Sequence, residues 1–196
     1  ATEAATAMPA YKRERRNRII EAALAALDEQ DYEEIRINEV AQRAKVALGT
    51  LYRYFSSKEH LYAVALDQWL ANISVDKPFP GQHPDERIRA RVHAVIRAFE
   101  QRPQYFKLNV QLYGSKSPEV QPIRTSIASR AQRVLTRDFE GLGPDTSRDA
   151  ATMLWAIIYT QLTSATYHHG NFAEAHRLAD VYIDLLSDRL RRTSRG

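Results

Sequence analysis

Residues 46–61 read VALGTLYRYFSSKEHL, and this stretch decides the fold. Leu48 to Phe55 has the spacing of one short helix, and Ile35, Ile37, Val40, Ala41 and Ala44 mark another just before it. Further upstream, Ile19, Ile20, Ala23, Leu24 and Leu27 recur at helical intervals between Arg15 and Glu29. Three helices in so short a span, the last two joined by a four-residue turn, predict a helix-turn-helix unit. Such a unit needs a small residue where its third helix crosses the second, and Ala41 supplies it. Val40, Ala44, Val46 and Leu51 then share an apolar centre, which leaves Ala47, Leu48, Gly49, Thr50, Tyr52, Arg53 and Tyr54 facing outward. A helix of this kind presents its amino-terminal residues to base edges in the major groove. Thr50 and the tyrosine hydroxyls suit phosphate or base, and Lys58 suits backbone phosphate.

Charge is uneven around this unit. Residues 12–18 (KRERRNR) carry five basic and one acidic side chain, and residues 28–34 (DEQDYEE) carry five acidic and no basic ones. Residues 36–58 return to five basic against one acidic. A cationic face results only if the fold turns the acidic segment away. Basic clusters attract phosphate through Coulomb steering and counterion release, but charge by itself fits a set of solvated helix faces equally well.

Composition narrows the remainder. With 44% hydrophobic and 27% charged residues, the chain has the balance of a soluble globular protein. The absence of cysteine excludes disulfide scaffolds, thiolate nucleophiles and Cys-ligated metals. No apolar run approaches the roughly 20 residues that cross a bilayer, and the amino end has no signal-peptide pattern, so the expected location is cytoplasmic.

Downstream, Ser56-Ser57-Lys58-Glu59 reads as a capping box, with Ser56 as cap and Glu59 reaching back. It opens a fourth helix, Lys58 to Ile73, and residues 74–84 (SVDKPFPGQHP) form a linker. Helices are then predicted over 85–101, 103–113, 117–140, 146–169 and 172–191. The fold class is all-α with about nine helices. The expected organisation is a disordered tail (1–10), a helix-turn-helix domain (11–57) and a helical second domain (58–196).

The last two helices are apolar over wide arcs: Met153, Leu154, Trp155, Ile157, Ile158, Tyr159 and Leu162 on one, Leu178, Val181, Tyr182, Ile183, Leu185, Leu186 and Leu190 on the other. Such helices are covered on two sides. A second copy, giving a two-fold four-helix interface, is the economical cover; a deeply buried monomer core is the alternative.

Taken together, Ile37 to Leu61 resembles the DNA-binding domain of the TetR/AcrR family of bacterial regulators. Thr50, Leu51, Tyr52, Tyr54, Phe55, Lys58 and Leu61 match the family's T-L-Y-x-Y/H-F and K-x-x-L pattern in order and spacing. The resemblance covers about residues 11–66. It implies phosphate contacts from Thr50, Tyr52, Tyr54 and Lys58, and base reading by Ala47, Leu48 and Gly49 with Arg36, Asn38 and Arg53 beside them. Double-stranded DNA with a palindromic operator is the implied partner. Lys45 stands where the family usually has a turn glycine, and Arg36 stands in place of a threonine. Lys12, Arg13, Arg15 and Arg16 are either an arm reaching DNA or a solvated segment.

The resemblance further implies a homodimer formed through the last two helices and a small effector held in the second domain. Leu66, Trp69, Leu70, Phe99, Phe106, Tyr113, Trp155 and Tyr159 lie on the helices that the family arranges around its cavity, with Gln111, Gln161 and Thr163 as polar anchors. The steroid and fatty-acid catabolism regulators of actinobacteria have a similar VAxGTLYRYF block, which points to a lipid-like or CoA-linked effector. It also implies a switch in which effector binding tilts the fourth helix and changes the spacing of the two recognition helices.

An enzyme is the first rival. His168, His169 and His176 have no Glu or Asp pair at ligand spacing and are separated by a helix break at Gly170, and G-x-S-x-G, H-E-x-x-H and a phosphate-cradling glycine loop are missing. No metal, cofactor or catalytic residue is therefore expected. Asn72-Ile73-Ser74 matches a glycosylation acceptor, which means nothing without secretion. The second rival is an all-α carrier of haem or lipid whose first helices are only structural.

Overall fold

The computed structural model describes residues 9–73, 80–81 and 83–193. Residues 1–8 of the proposed tail and most of the linker lie outside the described residues, as does Ser74 of the glycosylation pattern, and the tail's last residue, Ala10, already belongs to a helix. Nine α-helices are described: α1 (Ala10–Glu29), α2 (Ile37–Arg43), α3 (Leu48–Tyr54), α4 (Lys58–Asn72), α5 (Pro84–Gln101), α6 (Pro103–Tyr113), α7 (Val120–Asp138), α8 (Pro144–Tyr167) and α9 (Phe172–Thr193). A single 3₁₀ turn over Glu140–Leu142 joins α7 to α8. The all-α expectation therefore holds, with most predicted boundaries within two or three residues.

The largest difference is at the amino end, where α1 begins at Ala10 instead of Arg15. Pro9 caps it, since its fixed φ suits a helix start and its carbonyl accepts the amides of Lys12 and Arg13. The basic segment 12–18 is thus helical and not an extended arm. The predicted cap of α4 is also displaced by one residue. Ser57, in extended conformation, accepts the His60 amide at 3.0 Å. Ser56 Oγ meets His60 Nδ1 at 3.1 Å instead, and Glu59 falls one position short of closing a box with Ser57.

Ile19, Ile20, Ala23 and Leu27 of α1 pack fully buried with Val40, Ala41, Leu51 and Phe55. Ala41 is buried as the crossing argument requires, and its carbonyl accepts the Val46 amide across the turn. This small core runs without a break into the larger one, because α4 packs against α1 on one side and α7 on the other. Helix α6 also reaches back to α1: Tyr105 donates its hydroxyl to the Leu24 carbonyl at 3.2 Å. Tyr62 of α4 does the same to the Ala23 carbonyl at 3.0 Å. Two tyrosines on two helices therefore hold the middle of α1. In the second half α5, α8 and α9 form the main stack, with Phe139, Leu154, Ile158, Leu162 and Ile183 buried. Gly143 starts α8 at φ +86, where a side chain would be strained, and Pro144 follows at the first helical position.

Candidate functional site

The turn before α3 runs from Ala44 to Ala47, and its geometry turns on Lys45. This residue sits at φ +54, the left-handed region that a glycine adopts without strain. From there the chain enters α3 with Ala47 as amino cap. Ala47, Leu48, Gly49, Tyr52 and Arg53 are exposed, while Thr50 and Tyr54 are half-buried. Arg53 donates to Thr50 Oγ1 at 3.0 Å, so the two polar groups share the outer face of α3. Arg36 and Asn38, at the start of α2, are exposed as well. An added Cβ at Gly49 would meet nothing within 4 Å, so nothing inside the chain requires a glycine there.

Lys58 is placed differently from its neighbours. Its ammonium donates to the Tyr32 carbonyl at 2.5 Å and lies 4.3 Å from the centre of the Tyr32 ring. Partial burial lowers its pKa, and burial with Glu59 and Glu33 nearby raises that of Tyr32 to about 12. The bond to Tyr32 uses one of the ammonium's three donors. Arg16, in α1, lies over the Phe55 ring at 5.4 Å, which places one basic side chain of 12–18 beside the end of α3.

Three carboxylates of the acidic segment are turned away. Asp28 pairs with Arg102 at 3.0 Å and Asp31 with Lys107 at 3.2 Å, and Glu33 accepts from Gln111. All three partners lie on or beside α6, so these three carboxylates face the second half of the molecule, whereas Glu29 pairs with Arg43 of α2. Gln111 is thereby occupied away from any cavity.

A cavity of about 290 Å³ lies among α4, α5, α6, α7 and α8. Of the aromatic and apolar set expected around an effector, Leu70, Phe99, Tyr113 and Trp155 line it. Leu66, Trp69, Phe106 and Tyr159 do not. Leu66 is buried in the core, and the other three belong to a packed aromatic chain: Trp69 stands 4.5 Å from Tyr105 and 5.4 Å from Phe99, and Phe106 stands 5.5 Å from Tyr159, between ring centres. That chain connects the α1–α4–α6 junction to the cavity wall. Gln161 and Thr163 also lie off the lining, and Thr163 donates to the Tyr159 carbonyl. The polar lining is instead Arg91, Asn109, Arg130 and Gln132. Arg91 is paired with Asp138 at 2.6 Å in a nearly buried bridge. Helix α7, which contributes Ile127, Ala131, Val134 and Leu135 to the wall, was absent from the expected set. Its signal was legible in the sequence, since Ile123, Ile127, Ala131, Val134 and Leu135 keep helical spacing amid arginines.

The three histidines do not gather. His168 and His169 are exposed at the end of α8, whereas His176 on α9 faces His93 of α5 with Nδ1 atoms 3.0 Å apart. His176 is therefore half-buried in a helix seam and is not a surface group. Among the described residues there is no group of three or more potential metal ligands, and no helix is long and apolar enough to cross a membrane.

Comparison with known proteins fits this geometry. The family described as "Bacterial regulatory proteins, tetR family" matches residues 19–65. An uncharacterised HTH-type transcriptional regulator of Mycobacterium bovis is 31% identical over 160 residues, which cover 77% of this chain and 72% of that one. The chain belongs to the TetR family. The HTH-type transcriptional repressor KstR of Rhodococcus jostii is 43% identical over 93 residues, 47% of this chain and 44% of the relative. The chain spans between 44% and 60% of the length of the KstR repressors it matches. A TetR regulator from Rhodococcus sp. RHA1 of known crystal structure shares the fold at a TM-score of 0.75, with 22% identity over 90% of this chain and 97% of that one. The family match takes in α2 and α3 whole, with the adjoining parts of α1 and α4.

Proposed function

We propose that this TetR regulator is a homodimeric repressor of a palindromic operator, released by a small apolar effector of lipid-like or CoA-linked chemistry. The observation that carries the reading is the outer face of α3. Ala47, Leu48, Gly49, Tyr52 and Arg53 stand exposed together at its start and side, and three carboxylates of the acidic segment are tied to α6. Under this reading residues 11–57 are the DNA-binding domain and 58–196 the effector and dimerisation domain. Ala47, Leu48 and Gly49 approach base edges, Thr50, Tyr52 and Tyr54 hold phosphates, and Arg36, Asn38 and Arg53 flank them. Lys58 joins them through the donors that the Tyr32 carbonyl leaves open.

The effector half of the proposal rests on the cavity, whose wall is mostly apolar with a few polar groups, as small-molecule sites are. The likeness to KstR repressors supports the repressor assignment. A switch is available in the hydrogen bonds of Tyr62 and Tyr105 to α1, because α4 and α6 both border the cavity and both hold the DNA-binding helices. An effector that favours one tilt of α4 shifts the population of head spacings.

Fluorescence anisotropy with a labelled fragment of the chain's own promoter region, titrated against non-specific competitor at several salt concentrations, tests this. Selective binding that weakens steeply with salt is expected. Binding equal to that of the competitor at every salt concentration overturns the operator reading.

A further inference from the structure

The apolar cavity adjoins a second, more open space. A groove of about 770 Å³ between α7 and α8 is lined by Arg130, Arg133, Arg137 and Arg148, with Glu140 as its one carboxylate. Arg130, Gln132 and Val134 line both spaces, so cavity and groove meet along that stretch of α7. Gln132 sits at the boundary, where its amide donates to the Arg148 carbonyl and to Thr152 Oγ1. Among the described residues, Arg133 and Arg137 meet no carboxylate at ion-pair distance. Arg148 has only the exposed Asp145, 3.5 Å away.

Arg130 differs from the other three. Its guanidinium reaches across to α4, donating to Asp67 Oδ1 at 2.5 Å and to the Asp67 carbonyl at 3.4 Å. It is the least exposed of the ion pair, at 18% against 33% for Asp67. One side chain thus borders the apolar cavity, belongs to the arginine groove and ties α7 to α4. Helix α4 begins next to the DNA-binding unit, and its Tyr62 holds α1.

We infer that the effector is an amphiphile with a phosphate-bearing head, and that Arg130 reads the head by leaving Asp67. The inference rests on the effector-responsive reading above and names its ligand class and trigger. The apolar body fills the cavity beside Trp155 and Phe99, and the head lies in the groove on Arg133 and Arg137. Guanidinium groups favour such heads because their planar donors match phosphate oxygens in pairs. A phosphate competes with the Asp67 carboxylate for the same donors. Once it wins, α7 no longer holds α4 through this bond, and α4 is free to tilt. Ligand binding and the Arg130–Asp67 bond therefore oppose each other, and by linkage each weakens the other equally.

The test follows binding without DNA, by quenching of the two tryptophans, one of which lines the cavity. The probes are decanoyl-coenzyme A and decanoyl lysophosphatidic acid, each matched to a phosphate-free counterpart, decanoyl-pantetheine and monodecanoylglycerol. The two phosphate probes separate the sources of the same chemistry, a thioester conjugate and a lipid. At least one is expected to bind about tenfold or more tighter than its counterpart, a margin that Arg130→Gln removes. Asp67→Asn is expected to act in the opposite direction, tightening that probe about fivefold or more while leaving the phosphate-free one unchanged. Glu140→Gln separates the tether from general charge relief. Without ligand, Asp67→Asn raises hydrogen exchange along α4, as the bound phosphate probe does in the parent protein, and Glu140→Gln does not. Equal binding of charged and uncharged probes overturns the inference, and so does an Asp67→Asn variant that binds the phosphate probe no tighter. Failure of the regulator reading shows separately, as promoter DNA left unbound while these titrations keep their pattern.

Discussion

Gly49 and Lys45 occupy each other's natural places. A glycine within α3 costs about 0.5–1 kcal/mol relative to alanine, and here no neighbour comes within 4 Å of the missing Cβ. The cost brings no packing benefit inside the chain, which fits a surface that something else must approach closely. Gly49→Ala is therefore expected to raise the unfolding free energy by about 0.5–1 kcal/mol while weakening promoter binding. Urea denaturation and DNA anisotropy on the same variant check it, and unchanged DNA affinity would remove Gly49 from the contact surface. Lys45 shows the reverse, a side chain at φ +54 where a glycine is at ease. Left-handed backbone costs an ordinary residue about 1–2 kcal/mol, and a glycine's extra freedom in the unfolded chain takes back about 0.4–1 kcal/mol. Lys45→Gly should thus stabilise the protein by roughly 0.5–1 kcal/mol, read from the same denaturation curves, and Lys45→Ala should not.

At the scale of helices, the seam between α5 and α9 carries a pH dependence. His93 Nε2 lies 2.7 Å from Asp180 Oδ1, and the Nδ1 atoms of His93 and His176 face each other at 3.0 Å. The two facing Nδ1 atoms share one proton between them, and His93 donates its Nε2–H to Asp180. Burial and the neighbouring His93 lower the His176 pKa below 6.5, against the pull of Glu100 at 3.7 Å, and Arg97 adds to the lowering. Arg89 faces Asp180 from the same seam. Because the folded value lies below the unfolded one, the stability is complete above pH 6.5 and is lost as pH falls through the folded pKa. Melting temperatures should be flat above neutrality and fall on acidification, and His176→Gln should flatten that fall. A slope that survives the substitution would assign it to other groups.

Elements also show what the sequence could reveal. Helix α3 and its turn were legible because seven motif positions lie within twelve residues, and a helix-turn-helix leaves little freedom in which positions face inward. The cavity was only half legible. Aromatic residues marked it, but Trp69 and Phe106 spend their rings on packing one another's neighbours, a choice that helical spacing does not encode. Helix α7 was expected as a helix but not as a wall of the cavity, because its arginines and threonines outnumber the apolar positions that reach it. The His93–His176 contact joins residues 83 positions apart, and only the packing of α5 on α9 brings it about.

For the whole molecule, the question is what covers the outer face of α8 and α9. The wide apolar arcs divide into two sets. Leu154, Ile158, Leu162, Ile183 and Leu190 are buried in the chain's own core, while Met153 and Val181 are exposed by about half and Leu185 by 77%. A monomer core accounts for the first set only. Exposed apolar side chains on adjoining helices mark an interaction surface, and a second copy meeting the same pair of helices would bury all three with two-fold symmetry. Leu185→Glu tests this with little ambiguity, because a side chain so exposed contributes little to the monomer and its replacement should change monomer stability by no more than about 0.5 kcal/mol. Placed across a two-fold interface, however, the new carboxylate is buried against its apolar surroundings, at a cost of several kcal/mol if unpaired. Sedimentation should therefore show the parent protein as a dimer and the variant as a folded monomer with an unchanged helical circular dichroism spectrum. Promoter affinity should fall with it, since a single head engages one half of a palindromic site. A variant that remains dimeric would move the interface off α9, and a parent protein that sediments as a monomer would leave Leu185 and Val181 to a different partner.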